Sequence, residues 1–207
     1  MENVAAFEKG ASPLRLDERV VIEGCKRGNL SAFDQLVTLH QKQAYNLAYR
    51  LTNNYDDASD VVQEAFLRVF HSINSFRGDA NFSTWLYRVV TNVYLDQRKK
   101  EKNRPHASLE DMIELDDSTV SRQIQDTAPR PDEMLEEKER QDAIEAAIAQ
   151  LPDYQRAMVV LYHVQGCSYE EIGRIMGMPL GTVKSRLNRA RLALKDKLLP
   201  AMELFGI

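Results

Sequence analysis

The chain has 207 residues, 43% of them hydrophobic and 28% charged, with a formal net charge of -4. That composition suits a soluble globular protein with one generous or two small cores, rather than a disordered or membrane chain. The longest apolar run, Ala157–Tyr162 continuing to Val164, is well short of the ~18 residues a membrane span needs, and the opening MENVAAFEKG lacks a basic-then-apolar leader pattern, so a cytoplasmic protein without direct membrane insertion is expected.

Helical periodicity dominates and no alternating strand pattern stands out, which predicts an all-α fold. Asp17 is placed to cap a first helix carrying Val20, Val21 and Cys25, ended by Gly28-Asn29. Ser31 and Asp34 then open a second helix with Phe33, Leu36, Val37, His40, Ala44, Leu47, Ala48 and Leu51 along one face. After the turn Asn53-Asn54-Tyr55, Asp56 or Asp57 caps a third helix with Ala58, Val61, Val62, Ala65, Phe66, Val69 and Phe70 inward. Its opposite face carries Asp60, Gln63, Glu64 and Arg68, which by themselves read as an ordinary solvated surface. The segment SFRGDANFS, Ser75 to Ser83, breaks the pattern, and a fourth helix runs from Thr84 to about Lys102.

That fourth helix interleaves Trp85, Tyr87 and Tyr94 with Arg88, Arg98, Lys99, Lys100, Lys102 and the following Arg104. Aromatic faces among cations are the ingredients of a single-strand surface, on which bases stack while phosphates meet the positive charge. Trp85, Val89 and Val93 also fit a simple core stripe, and for Trp85 the core reading is the stronger. Between Ser108 and Glu139 eleven acids face three bases, which accounts for the negative total, and Pro105, Pro129 and Pro131 mark an extended linker. The expected organisation is a tail over 1–16, a helical domain over 17–102, a flexible acidic linker over 103–131, a second helical domain over 132–203 and a tail over 204–207.

In the second domain Met134, Leu135, Ile144, Ala147, Ile148 and Leu151 form a stripe, and Pro152 sits in the first turn of a helix over Asp153–Gln165 that Gly166 ends. Ser168 and Glu171 have capping-box spacing. Gly173, Gly177 and Val183 then follow the spacing of a helix-turn-helix: a small residue at the helix contact, a glycine in the turn, an anchor in the second helix. On a wheel of about 100° per residue that second helix puts Val183, Leu187, Ala190, Leu194 and Leu198 on one face. Thr182, Ser185, Asn188 and Arg189 lie opposite, flanked by Lys184, Arg186, Arg191, Lys195 and Lys197. Hydrogen-bonding groups between basic flanks suit a major-groove reader, with Asn188 and Arg189 on base edges and Lys184 and Arg191 on phosphates. A solvated basic face is the plainer alternative, but it leaves the capped helix and the glycine spacing unexplained.

The two cysteines, Cys25 and Cys167, stand far apart with no CxxC or Cys/His cluster, so they read as buried thiols. No metal site, cofactor or catalytic constellation is expected: there is no phosphate-binding glycine loop, HExxH or GxSxG. A ligand-sensing or dimeric helix-turn-helix regulator, and an all-helical adaptor with an incidental basic helix, remain open on these features alone.

Taken together, DDASDVVQEAFLRVFHSINSFRGDANFSTWLYRVVTNVYLD and LPDYQRAMVVLYHVQGCSYEEIGRIMGMPLGTVKSRLNRARLAL resemble the extracytoplasmic-function sigma factors of the sigma-70 family, over about Asp17 to Leu199. The resemblance implies a promoter-specificity subunit without enzymatic activity. It would bind core RNA polymerase through Asp57, Asp60, Gln63, Glu64, Phe66 and Arg68, on the clamp helices of the largest subunit. Its second domain would sit on the flap of the second-largest subunit. The −10 element would be read and opened by the loop Phe76, Arg77, Gly78, Asp79, Ala80, Asn81, Phe82 and Ser83 together with Arg88, Asn92, Arg98 and Lys99. The −35 duplex would be read by Thr182, Lys184, Ser185, Arg186, Asn188, Arg189 and Arg191. The resemblance also implies control by an anti-sigma factor and a connector that threads through the polymerase.

Overall fold

The computed structural model describes residues 13–103 and 131–205, so most of the expected linker and the first twelve residues lie outside the described part. The architecture is all-α, with no strand among the described residues: α1 (Pro13–Lys26), α2 (Leu30–Thr52), α3 (Tyr55–Ser72) and α4 (Phe82–Lys102) form one helical unit, and α5 (Pro131–Ala149), α6 (Asp153–Val159), α7 (Tyr169–Met176) and α8 (Leu180–Leu198) the other. A 3₁₀ turn, Ile73–Ser75, follows α3, and another, Leu199–Phe205, follows α8 at the end of the described residues.

Local chemistry moves several helix starts from where the sequence suggests. The first helix begins at Pro13, so Asp17 lies inside it rather than at its cap. Asn29, not Ser31, caps α2: its side-chain oxygen accepts from the Ala32 N–H at 3.2 Å, directly after Gly28 turns the chain at φ +80°. Asn54 caps α3 by accepting from the N–H groups of Asp56 and Asp57 at 2.8 and 3.0 Å. The two aspartates thereby occupy the first turn, where their charge complements the helix dipole. Helix α4 starts at Phe82, two residues early, and Pro152 stands just before α6 rather than within its first turn. The single helix expected over 153–165 changes character midway, because after Val159 the chain widens into a π turn over Val160–Val164.

The buried stripes follow the apolar periodicity, with exceptions at the surface. Leu36, Leu47, Leu51, Val61, Val69, Leu86 and Tyr94 fill the first unit, and Met158, Leu161, Ile172, Ile175, Val183 and Leu187 the second. Phe70, expected inward, is 42% exposed, with its ring set edge-on to Phe33 at 5.0 Å. Ile144 is likewise exposed, and the Met134 and Leu135 side chains lie outside the described residues.

The two units pack directly on each other, and their buried side chains form one continuous cluster. The first turns of α6 and α7 supply most of the polar seam. Tyr94 on α4 donates its hydroxyl to Asp153 at 3.1 Å, and the Lys102 ammonium reaches the other carboxylate oxygen at 2.5 Å. Arg156 donates across to the Leu51 carbonyl at 2.7 Å while also holding the Ala149 and Leu151 carbonyls of its own unit. Arg50 pairs with Glu145, and Thr84 donates to Glu171 at 3.2 Å.

Candidate nucleic-acid and polymerase interfaces

The helix-turn-helix is built from short-range bonds. Ser168 accepts from the Glu171 N–H at 3.2 Å while the Glu171 carboxylate accepts from the Ser168 N–H at 2.9 Å, a closed capping box. The Ser168 backbone bond, against some burial and with help from Thr84 and Arg174, holds the Glu171 carboxyl below its ordinary value. Gly177 ends α7 in the left-handed region at φ +65°, and the Met178 N–H returns to the Gly173 carbonyl at 2.9 Å. Pro179 in extended conformation leads into α8.

On α8 the apolar face is buried at Val183, Leu187 and Ala190. Lys184, Ser185, Arg186, Asn188 and Arg189 are exposed, and Thr182 is half-buried. Two of the basic flanks have protein partners. The Arg186 guanidinium lies 5.3 Å over the Tyr154 ring. Arg191 lies 4.4 Å over Tyr162, and its Nε donates to His163 Nε2 at 3.2 Å. Burial and the neighbouring Arg191 charge lower the His163 pKa, which favours the neutral, accepting imidazole. Arg191 therefore anchors α8 to the π turn, a role the wheel alone does not reveal.

In the first unit, Arg88, Asn92 and Lys99 are exposed along one face of α4, whereas Thr84, Thr91 and Tyr94 are buried. The loop before α4 divides into anchors and tip. Phe76 and Phe82 are buried, packed on Trp85 at 5.4 and 5.7 Å, with His40 4.8 Å from Phe82. In the free chain their rings hold the loop down. Arg77, Gly78, Asp79 and Asn81 form the exposed tip, turned by Gly78 at φ +81°, with Ala80 and Ser83 half-buried.

On α3, Asp60 and Gln63 are exposed and Glu64 is half-buried, while Phe66 is buried in the core at 8% exposure. Phe66 thus supports the surface from beneath in the free chain. Leu67 beside Gln63 is 57% exposed, an apolar residue on the polar face that sequence reading passed over. Asp57 and Arg68 turn toward α4: Asp57 pairs with Arg98 at 3.3 Å, and Arg68 pairs with Asp96 at 2.9 Å and with Glu64 at 2.8 Å.

Residues 36–104 match the family model for Sigma-70 region 2, and residues 141–194 match that for Sigma-70 region 4. The chain is 36% identical over 177 residues to the ECF RNA polymerase sigma factor SigW of Bacillus subtilis (strain 168), covering 86% of this chain and 94% of that protein. It is also 36% identical over 186 residues to the ECF RNA polymerase sigma-E factor of Escherichia coli (strain K12), covering 90% and 96%. The chain belongs to the ECF sigma factors.

Among solved structures, the sigma factor RpoE in complex with the anti-sigma factor NepR from Bartonella quintana is similar at a TM-score of 0.58 and 25% identity, covering 80% of this chain and 96% of that one. CnrH in complex with the cytosolic domain of CnrY shares the fold, at a TM-score of 0.60 and 23% identity over 89% of this chain and 97% of that one. An ECF sigma factor is a promoter-recognising initiation factor that works with core RNA polymerase, and the two matched regions give the helical units of this chain that function. Among the described residues, no group of His, Cys, Asp or Glu is placed to hold a metal ion, and no helix is long and apolar enough to cross a membrane.

Proposed function

We propose a division of labour in which polymerase supplies the chemistry and this sigma factor supplies duplex reading, strand opening and docking. The observation that carries the reading is the exposed face of α8, where Lys184, Ser185, Asn188 and Arg189 stand clear of the protein on a helix fixed by the capping box and the Gly177 turn. That face enters the major groove of the −35 element, with Arg189 and Asn188 on base edges, Lys184 on phosphate, and Arg186 and Thr182 at the margins.

The α4 stripe Arg88, Asn92 and Lys99, with the loop tip from Arg77 to Asn81, takes the −10 element. Arg88 and Lys99 hold the non-template backbone while Asn92 and the tip receive an unstacked base. No ATP is needed, since each unstacked step costs only a few kcal/mol and protein contacts to the freed bases offset it. Asp60, Gln63, Glu64 and Leu67 form the surface for the clamp helices of the largest polymerase subunit, and the α5–α8 unit meets the flap of the second-largest. The complex of the structurally similar RpoE with the anti-sigma factor NepR supports control of this chain by an anti-sigma factor.

In vitro transcription with purified chain, bacterial core polymerase and a promoter library tests the reading. RNA synthesis from one class of upstream sequence is expected, and Arg189→Ala should flatten the preference at one −35 position. Sequence-independent initiation, or none, sinks the assignment.

A further inference from the structure

We propose that Asp57 and Arg68 are positioning residues for the DNA-facing helix α4, not contacts to polymerase. The inference rests on the functional reading of α3 and α4 given above.

The geometry separates these two from the rest of the α3 surface. With about 100° per residue, Asp60, Gln63, Glu64 and Leu67 centre on one direction, while Asp57 and Arg68 lie about 60–80° round the helix from Asp60, on the same flank. That flank faces α4. The Asp57 carboxylate meets Arg98 Nη2 at 3.3 Å, and Arg68 Nη1 meets the Asp96 carboxylate at 2.9 Å. Each pairing is reinforced within its own helix: Arg98 donates to Glu101 at 2.7 Å and lies 5.7 Å from the Tyr94 ring, and Arg68 Nε donates to Glu64 at 2.8 Å.

The polarity of the two pairs is reciprocal. Helix α3 supplies an acid and then a base, and α4 answers with a base and an acid only two residues apart. The apolar seam between the helices is non-directional and tolerates small slides and rolls. The charge pairs are directional: a slide or roll of α3 on α4 lengthens the Asp57–Arg98 and Arg68–Asp96 contacts, and their attraction falls with distance. Both pairs are met together only near the observed register.

Register matters here because of what the same half of α4 carries. Asp96 follows Asn92 by one turn, and Arg98 adjoins Lys99. A roll of about 10° moves a side-chain tip, roughly 6 Å from the helix axis, by about 1 Å, enough to spoil a hydrogen bond to a base. The surface that docks on polymerase and the helix that opens DNA are thereby held at a fixed angle.

The test uses holoenzyme reconstituted from the full chain and core polymerase, measuring core affinity and the rate of promoter opening on duplex and on pre-melted templates. Asp96→Asn and Arg68→Gln are each expected to leave core affinity unchanged and to slow opening on duplex about two- to fivefold, the range of exposed ion pairs. Pre-melted template should restore the rate, and the double variant should be no slower than either single one. Asp57→Asn should also keep its core affinity. A drop in core affinity for Arg68→Gln or Asp57→Asn, with Asp96→Asn silent, overturns the inference. Asn92→Ala is the reference: if it slows duplex opening and Asp96→Asn does not, only this inference fails, whereas no duplex-specific defect for Asn92→Ala overturns the reading of α4 and this inference with it.

Discussion

At Gly173 a single added carbon has nowhere to go. A Cβ built there lies 2.9 Å from the Met178 carbonyl oxygen and 3.7 Å from Val183 Cγ2, so the turn between α7 and α8 closes only over a bare α-carbon. Gly173→Ala should cost about 1–3 kcal/mol by overpacking, seen as a lower midpoint in thermal denaturation. Gly181, with no neighbour within 4 Å of its would-be Cβ, is the control: Gly181→Ala should not lower the midpoint. The cysteines make a second residue-scale case. Burial, with the Glu171 charge nearby, pushes the Cys167 thiol up to about 12, and burial raises Cys25 as well. Both should react slowly with a thiol reagent in the native protein at pH 7 and fast in denaturant; rapid native labelling would contradict the buried, protonated thiols. That they are buried thiols was legible from their isolation in the sequence.

Helices α3 and α8 each carry a working face whose centre and edges behave differently. On α8, Arg189 is exposed and, among the described residues, meets no ring or acid, so Arg189→Ala should remove ~1–3 kcal/mol and relax preference at one −35 base pair. Arg191 is held by Tyr162 and His163, so Arg191→Ala should loosen α8 and weaken binding to all sequences alike. Binding assays across a set of −35 variants separate the two outcomes. On α3, replacing Gln63 and Glu64 together by Ala should weaken core polymerase binding; unchanged affinity would move the docking surface elsewhere. The α8 face could be read from spacing because a helix wheel needs only local sequence, and the capping box spans just four residues. The partners of Arg191, Arg68 and Arg98 stand 28, 28 and 41 residues away, and no local pattern says which helix faces meet.

For the whole molecule, the packing of the two units has a consequence for promoter reach. Elements named −35 and −10 lie about 25 base pairs apart, or ~85 Å along straight duplex at ~3.4 Å per pair. In the structure α4 packs on α7 and α7 on α8, and packed helix axes lie about 8–10 Å apart, so α4 and α8 are within roughly 20 Å. With α4 on −10 and α8 on −35 as proposed, the units must part before both elements can be held, which makes the polar seam a determinant of the free chain's shape. Burial works against ionising Asp153, but the Lys102, Tyr94 and Arg156 contacts outweigh it and keep its carboxyl below the ordinary value; Glu171 is lowered too. For groups with a depressed folded pKa, the stabilisation is complete above the unfolded value and lost as pH falls through the folded one. The seam should therefore hold at neutral pH and weaken below about pH 4. Small-angle scattering is expected to show a larger radius for Asp153→Asn than for the parent at pH 7, and expansion of the parent on acidification. Identical profiles would mean that the apolar contacts alone keep the units together.

Local sequence by itself determined the helices, their apolar stripes, the helix-turn-helix and the basic outward face of α8, because each depends on spacings of three or four residues along one segment. It misplaced helix starts by one to four residues, since a cap is chosen by the backbone conformation of a single residue such as Asn29 or Asn54. Only the tertiary structure decided that Phe66, Phe76 and Phe82 are supports in the free chain, that Asp57 and Arg68 belong to the α3–α4 joint, and that Arg156 bridges to the Leu51 carbonyl 105 residues earlier. Those outcomes depend on which surfaces are pressed together, and packing brings into contact groups whose separation along the chain carries no periodic signal.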